Sequence, residues 1–146
     1  MVKGVILLLV EDDIDDRELF LEAAKEVNHS INCYTASNGD EALELLKNKF
    51  NFLPDFIFLD LNMPIRSGRV LLKDLKGDAS LKNIPVIIYT TAFSEVEKKE
   101  CLDLGADSFI TKPESFDAIR KAIWNVVNRK ATSPPRVSFP INERYA

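Results

Sequence analysis

The 146-residue chain is predicted to fold as one α/β domain, a doubly wound sheet of five parallel strands with five helices. Three observations predict it. Short apolar runs recur along the chain, with longer amphipathic segments between them. Most of the runs are rich in Ile, Val, Phe or Tyr, side chains that suit a pleated, buried surface. Finally, most of the runs are apolar at nearly every position. A strand of that kind is covered on both faces, which implies parallel pairing with helices on each side and right-handed crossovers.

The first run is VILLLV (5–10), and Leu19, Phe20, Ala23, Ala24 and Val27 follow it at three- and four-residue steps, one face of a helix. INCYT (31–35) is the second strand. Ala42, Leu45 and Leu46 mark the second helix, with Asp40 and Glu41 in a first turn where the helix dipole favours acids. DFIFLD (55–60) is the third strand and Val70, Leu71 and Leu75 the third helix. PVIIYT (85–90) precedes a very polar segment on which Val96, Cys101 and Leu104 make a weaker helical pattern, closed by Gly105 as a C-terminal cap. DSFITK (107–112) is the fifth strand, and Phe116, Ile119, Ile123 and Val126 or Val127 define the last helix.

The composition, 46% hydrophobic and 29% charged, is that of a globular domain with a real core. No run is long and apolar enough to span a membrane, and the N-terminus reads as a strand rather than a signal peptide. Cys33 and Cys101 have no metal-like spacing and read as ordinary thiols of a reducing compartment. His29, in NHS, reads as a loop residue. The net charge of −4 argues against non-specific nucleic-acid binding. That charge is uneven. Residues 129–146 hold four basic side chains against Glu143, a net +3, which leaves −7 for residues 1–128. The same segment holds three of the seven prolines and no helical period, so the domain is expected to end at residue 128 with a flexible tail after it. A docking segment built on Val137, Phe139 and Ile141 is the other reading of that tail.

One acid breaks the third strand: Asp60 in PDFIFLDLNMP (54–64). An unpaired carboxylate in a core costs roughly several kcal/mol, so Asp60 belongs at the strand's carboxyl end. Ligand groups of open parallel sheets gather outside those ends. Glu11, Asp12 and Asp13 follow the first strand, Asp60 and Asn62 the third, Thr90 and Thr91 close the fourth, and Lys112 closes the fifth. Close carboxylates repel unless a cation joins them, and oxygen donors without Cys or His suit Mg2+ or Ca2+ rather than zinc. A lysine and a threonine beside such a cation suit phosphoryl oxygens, and an aspartate there can act as a nucleophile and form an acyl phosphate. Each residue alone has a plainer explanation. Asp13, Asp15 and Asp16 fit a solvated helix start, Thr90 a strand residue, Lys112 a surface lysine, and Asp60 a loop that bonds its own backbone. Their joint placement on one sheet edge favours a site.

The strings LLVEDD, FLDLNMP with Ser67-Gly68 after it, IIYTTAF and LGADSFITKP together resemble the receiver domain of two-component response regulators, the chemotaxis receiver among them. The resemblance covers residues 4 to about 128. It implies a flavodoxin-like fold with sheet order 2-1-3-4-5. It implies that Asp60 accepts a phosphoryl group from a sensor histidine kinase or phosphotransfer protein. Glu11, Asp12, Asp60 and the main-chain carbonyl of Asn62 would hold Mg2+. Thr91 and Lys112 would contact the phosphoryl group, Thr91 and Phe109 would form the conformational switch with Phe109 turning inward, and Phe93 with Asn62 would flank the hydrolytic water. The Lys112–Pro113 peptide is expected to be cis.

Three departures stand out: Glu11 where many members carry Asp, Ser67 where an acid often precedes the glycine, and Phe109 where a tyrosine is common. None removes the nucleophile, the metal acids or Lys112. The resemblance therefore implies a stand-alone cytoplasmic signalling switch, not a conventional enzyme, that catalyses its own phosphorylation and slow dephosphorylation. It would signal through protein contacts on the fourth helix, fifth strand and fifth helix, without direct DNA or membrane binding. Self-association into a homodimer is compatible with it. A pseudo-receiver binding module would be expected to lack a site residue. A phosphohydrolase of the aspartate-nucleophile type would want a second aspartate where Asn62 stands. A flavin-binding module would want a hydroxyl- and glycine-rich loop in place of EDDIDD.

Overall fold

The computed structural model of the chain describes residues 4–64 and 67–132, with side chains described through residue 129. Its elements are β1 (Val5–Val10), α1 (Ile14–Val27), β2 (Ile31–Ala36), α2 (Gly39–Glu44), β3 (Phe56–Leu59), α3 (Gly68–Gly77), β4 (Val86–Thr90), α4 (Glu95–Asp103), β5 (Ser108–Thr111) and α5 (Phe116–Thr132). All pairs in the sheet are parallel and the order is β2-β1-β3-β4-β5, the doubly wound, flavodoxin-like topology the sequence predicts.

Alternation along the strands divides the core in two. Leu8, Val10, Ile57, Leu59, Val86 and Ile88 face one way, onto α2, α3 and α4 through residues such as Ala42, Leu72 and Cys101. Leu7, Leu9, Phe56, Phe58, Ile87 and Tyr89 face the other way, onto α1 and α5 through Phe20, Ala23, Ile119 and Ile123. Phe20 packs edge-on against both Phe58 and Tyr89, with ring centroids 4.9 and 5.4 Å away. β2 is an edge strand, and only its two end residues, Ile31 and Ala36, are buried.

Helix starts follow side-chain capping. Asp13 Oδ1 accepts from Asp16 N at 2.9 Å to open α1, and Asn38 Oδ1 accepts from Glu41 N at 2.9 Å to open α2. Ser94 and Glu97 form a reciprocal capping box on α4. At the other end of α4, Ala106 N donates to Cys101 O and Gly105 N to Leu102 O, with Gly105 at φ 111°. That is a Schellman ending, and its left-handed residue explains the glycine.

Two details differ from expectation. α5 continues to Thr132, past residue 128, where the sequence places the start of the tail. The rest of the predicted tail, 133–146, lies outside the described residues. α2 passes into a π-helical turn, Leu45–Lys49, which no feature of the sequence announces.

Candidate functional site

The carboxyl edge of the sheet is pinned by three ladder hydrogen bonds, each made by the first residue beyond a strand. Glu11 N donates to Ala36 O (2.9 Å), Asp60 N to Val10 O (3.1 Å) and Lys112 N to Thr90 O (2.8 Å). Arg17 on α1 reinforces the first of these, its Nη1 donating to the Glu11 carbonyl at 2.9 Å. Behind Asp60, the start of α3 comes so close that a Cβ on Gly68 would lie 2.2 Å from the Asp60 carbonyl oxygen. Only glycine fits that contact, so the Ser67-Gly68 step positions the Asp60 loop.

Asp60 is the centre of the site and is 4% exposed. Its Oδ1 accepts from the Thr90 hydroxyl (2.9 Å) and from Asn62 N (3.1 Å), and its Oδ2 accepts from Lys112 Nζ (3.1 Å). Asn62 Nδ2 also reaches Thr90 Oγ1, at 3.3 Å. The Lys112 ammonium stands among three carboxylates: Glu11 Oε1 at 2.7 Å, Asp16 Oδ2 at 2.8 Å and Asp60 Oδ2 at 3.1 Å. Burial works to lower the Lys112 pKa, but its close contacts with Asp16 and Glu11 and the charge of Asp60 raise it well above the ordinary lysine value. Lys112 is therefore a fixed cation.

Glu11, Asp12 and Asp60 each offer a carboxylate oxygen, and these oxygens lie within 4.8 Å of one another. Glu11 Oε1 is buried, with the ammonium nearby but no hydrogen-bond donor aligned on it. Burial pushes the Glu11 carboxyl up to about 7; the nearby ammonium works against the rise and the charge of Asp60 adds to it. An all-oxygen donor set with an under-satisfied carboxylate fits a hard divalent cation such as Mg2+.

The structure brings Glu11, Asp12, Asp60, Asn62 and Lys112 together at one sheet edge, and it departs from several expectations of the sequence. Thr90, not Thr91, touches Asp60: Thr90 is fully buried and Thr91 is exposed. Thr90 continues the Val86–Ile88 face of β4, and a shift of one residue sends a side chain to the other face. Counting that alternation would have separated the adjacent threonines. The Lys112–Pro113 peptide is trans, as no cis peptide occurs among the described residues. The trans form is intrinsically favoured, and with it Lys112 already reaches Asp60. Phe109 already lies inward in this structure, fully buried with its ring centroid 4.4 Å from that of Phe93. Phe93 is half-buried and packs on Phe109 at the margin of the apolar core. Asp16, which the sequence reads as a solvated acid, joins the site through Lys112, a contact across 96 residues that local pattern does not encode.

An aspartate held by a hydroxyl and an ammonium, beside a cluster of metal-suited acids at the carboxyl edge of a doubly wound sheet, is a set of groups suited to phosphoryl oxygens. The profile of the response regulator receiver domain matches residues 7–124, and the chain belongs to that family. It is 31% identical to the two-component response regulator ORR4 of Oryza sativa subsp. indica, over 92% of this chain and 64% of that protein. It is 28% identical to response regulator Rcp1 of Synechocystis sp., over 83% of this chain and 85% of Rcp1. In other relatives it spans far less, 14% of the sensor histidine kinase CheAY of Helicobacter pylori and 9% of histidine kinase P4 of Formosa agariphila. Among solved structures, the phosphorylated cyanobacterial phytochrome response regulator RcpA superposes with a TM-score of 0.80 at 28% identity, covering 92% of this chain and 99% of that one. The Mn2+-bound form of Rcp1 gives a TM-score of 0.77 at 25% identity, covering 92% and 99%.

Proposed function

We propose that the domain is a phosphorylation-dependent switch in which Asp60 accepts a phosphoryl group from a partner's phosphohistidine. One observation carries the reading: the Asp60 carboxylate stands between the Thr90 hydroxyl and the Lys112 ammonium, beside Glu11 and Asp12. In the transfer an Asp60 oxygen bonds to phosphorus, the phosphorus–nitrogen bond breaks, and its electron pair leaves with the imidazole. Glu11, Asp12, Asp60 and the Asn62 carbonyl would hold Mg2+, which when bound supplies charge neutralisation on the phosphoryl oxygens. Lys112 provides a second, fixed positive charge at the same place, and Thr90 offers its hydroxyl once the carboxylate becomes an acyl phosphate. The ladder bonds hold these groups in place before the donor arrives, so the protein contributes mainly orientation. The domain catalyses only its own modification and its slow hydrolysis.

The phosphodonor is a sensor histidine kinase or phosphotransfer protein in the cytoplasm, and the output runs through protein contacts on α4, β5 and α5. Differential contacts of the acyl phosphate with Thr90 and Lys112 bias two states of that face. The test is incubation with acetyl phosphate and Mg2+, followed by intact mass. Wild type gains one phosphoryl group and Asp60→Asn gains none; equal modification of the two overturns the assignment.

A further inference from the structure

We infer that Asp16 is a positioning residue for this transfer, holding the Lys112 ammonium at the acid cluster from outside the set of metal ligands. The inference rests on the reading of Asp60 as phosphoacceptor. An ammonium has three N–H donors, and three carboxylates surround this one, those of Glu11, Asp16 and Asp60. Glu11 and Asp60 belong to the carboxylate group suited to a cation, and Asp16 does not. A divalent ion on Glu11 and Asp60 shares their charge and repels Lys112. The contact it leaves intact is Asp16 Oδ2, 2.8 Å from Nζ.

Asp16 is well placed to keep that contact. Its backbone N–H is tied to the Asp13 side chain at 2.9 Å, so the first turn of α1 is fixed. Its carboxylate is 39% exposed, against 10% for the Lys112 side chain, so it approaches the ammonium from the solvent side. Asp60 approaches from within, with its side chain 6% exposed. Without Asp16, metal loading would favour swinging the flexible lysine chain outward, away from the incoming phosphoryl group. Asp15 shares the same helical turn and is exposed, so it serves as the control for a general helix-start effect.

The experiment measures phosphorylation by acetyl phosphate at saturating Mg2+ in Asp16→Asn, Asp15→Asn, Lys112→Ala and the Asp16→Asn/Lys112→Ala pair. Asp16→Asn is expected to slow modification about three- to five-fold, the range for a partly exposed ion pair. Asp15→Asn is expected to match wild type, and Asp16→Asn to add nothing once Lys112 is absent. An Asp16→Asn rate equal to wild type, or the same loss in the Lys112→Ala background, overturns the inference. A second readout is the ammonium resonance of Lys112 in the Mg2+-loaded protein. Its proton exchange should be slow in wild type and fast in Asp16→Asn, and equal exchange refutes the role. A wild type that takes up no phosphoryl group refutes the phosphoacceptor reading, and the resonance then decides on Asp16 separately.

Discussion

Replacing Gly68 by alanine tests how tightly the Asp60 loop is built. The new Cβ would lie 2.2 Å from the Asp60 carbonyl oxygen, 2.6 Å from Leu61 Cα and 2.9 Å from the Asp60 carbonyl carbon. All three are backbone atoms, so no rotamer change relieves the clash, and the start of α3 or the loop must yield by about 1 Å. Overpacking of this kind costs about 1–3 kcal/mol, and the better helix propensity of alanine returns up to about 1 kcal/mol. The net loss of about 1–2 kcal/mol corresponds to a fall of about 3–8 °C in Tm for a chain of this size. Gly77, at the other end of the same helix, is the internal control, because its Cβ would meet nothing within 4 Å. Gly77→Ala should be neutral or stabilising by up to about 1 kcal/mol. Circular-dichroism melts of the two variants in one buffer decide the matter, with the acetyl phosphate rate measured alongside. Gly68→Ala should also be phosphorylated more slowly, since the displaced backbone is that of the acceptor. A Gly68→Ala protein that melts at or above Gly77→Ala would refute the argument.

The two threonines at the end of β4 should separate cleanly. Thr90→Val strips a buried hydroxyl from Asp60 Oδ1 and should cost about 1–2 kcal/mol of stability, whereas Thr91→Val, at an exposed position, should stay within about 0.5 kcal/mol of wild type by calorimetry. Equal melting of both would restore Thr91 as a candidate. Burial pushes Glu11 up to about 7, above its ordinary 4.5, so the fold favours its protonated form. In the metal-free protein that contribution to stability is complete below pH 4.5 and is lost as pH rises through 7. A cation needs the carboxylate, so Mg2+ binding at pH 6 should release a proton, and its affinity should drop by up to about tenfold per pH unit below 7. Calorimetric titration in two buffers of different ionisation enthalpy measures this, and constant affinity from pH 6 to 8 without proton release contradicts it.

Local pattern carried the strands to within one or two residues at each end, because buried parallel strands are continuous apolar runs that end where polar groups begin. The acid cluster was legible for a related reason: Glu11, Asp60 and Lys112 each stand next to such a run. What escaped was side-chain direction. Thr90 and Thr91 look alike in one dimension, and only the pleat tells them apart. Phe109 and Phe93 are both apolar residues near strand ends, and their tilted ring contact depends on how the β4–α4 connection folds over β5. The Asp16–Lys112 pair joins the first turn of α1 to the end of β5, elements whose separation in the chain hides it. The trans peptide at Pro113 contradicts an expectation that came from resemblance alone and had no local physical warrant.

The self-capped helix α4 has a consequence for how a signal could leave this molecule. Its N-terminus is closed by its own Ser94 and Glu97, and its C-terminus by its own Gly105 and Ala106. Between them it buries one side chain, Cys101, and holds Val96 out to solvent, 66% exposed. A helix so finished at both ends borrows almost nothing from its neighbours to remain a helix. Tilting or sliding it exchanges a small area of contact and disrupts few hydrogen bonds, so the barrier to such a movement is set by the grip on one cysteine and its surroundings. Among the helices on its face of the sheet, α3 anchors four residues, Gly68, Leu71, Leu72 and Leu75, and α4 is the plank resting on a single nail.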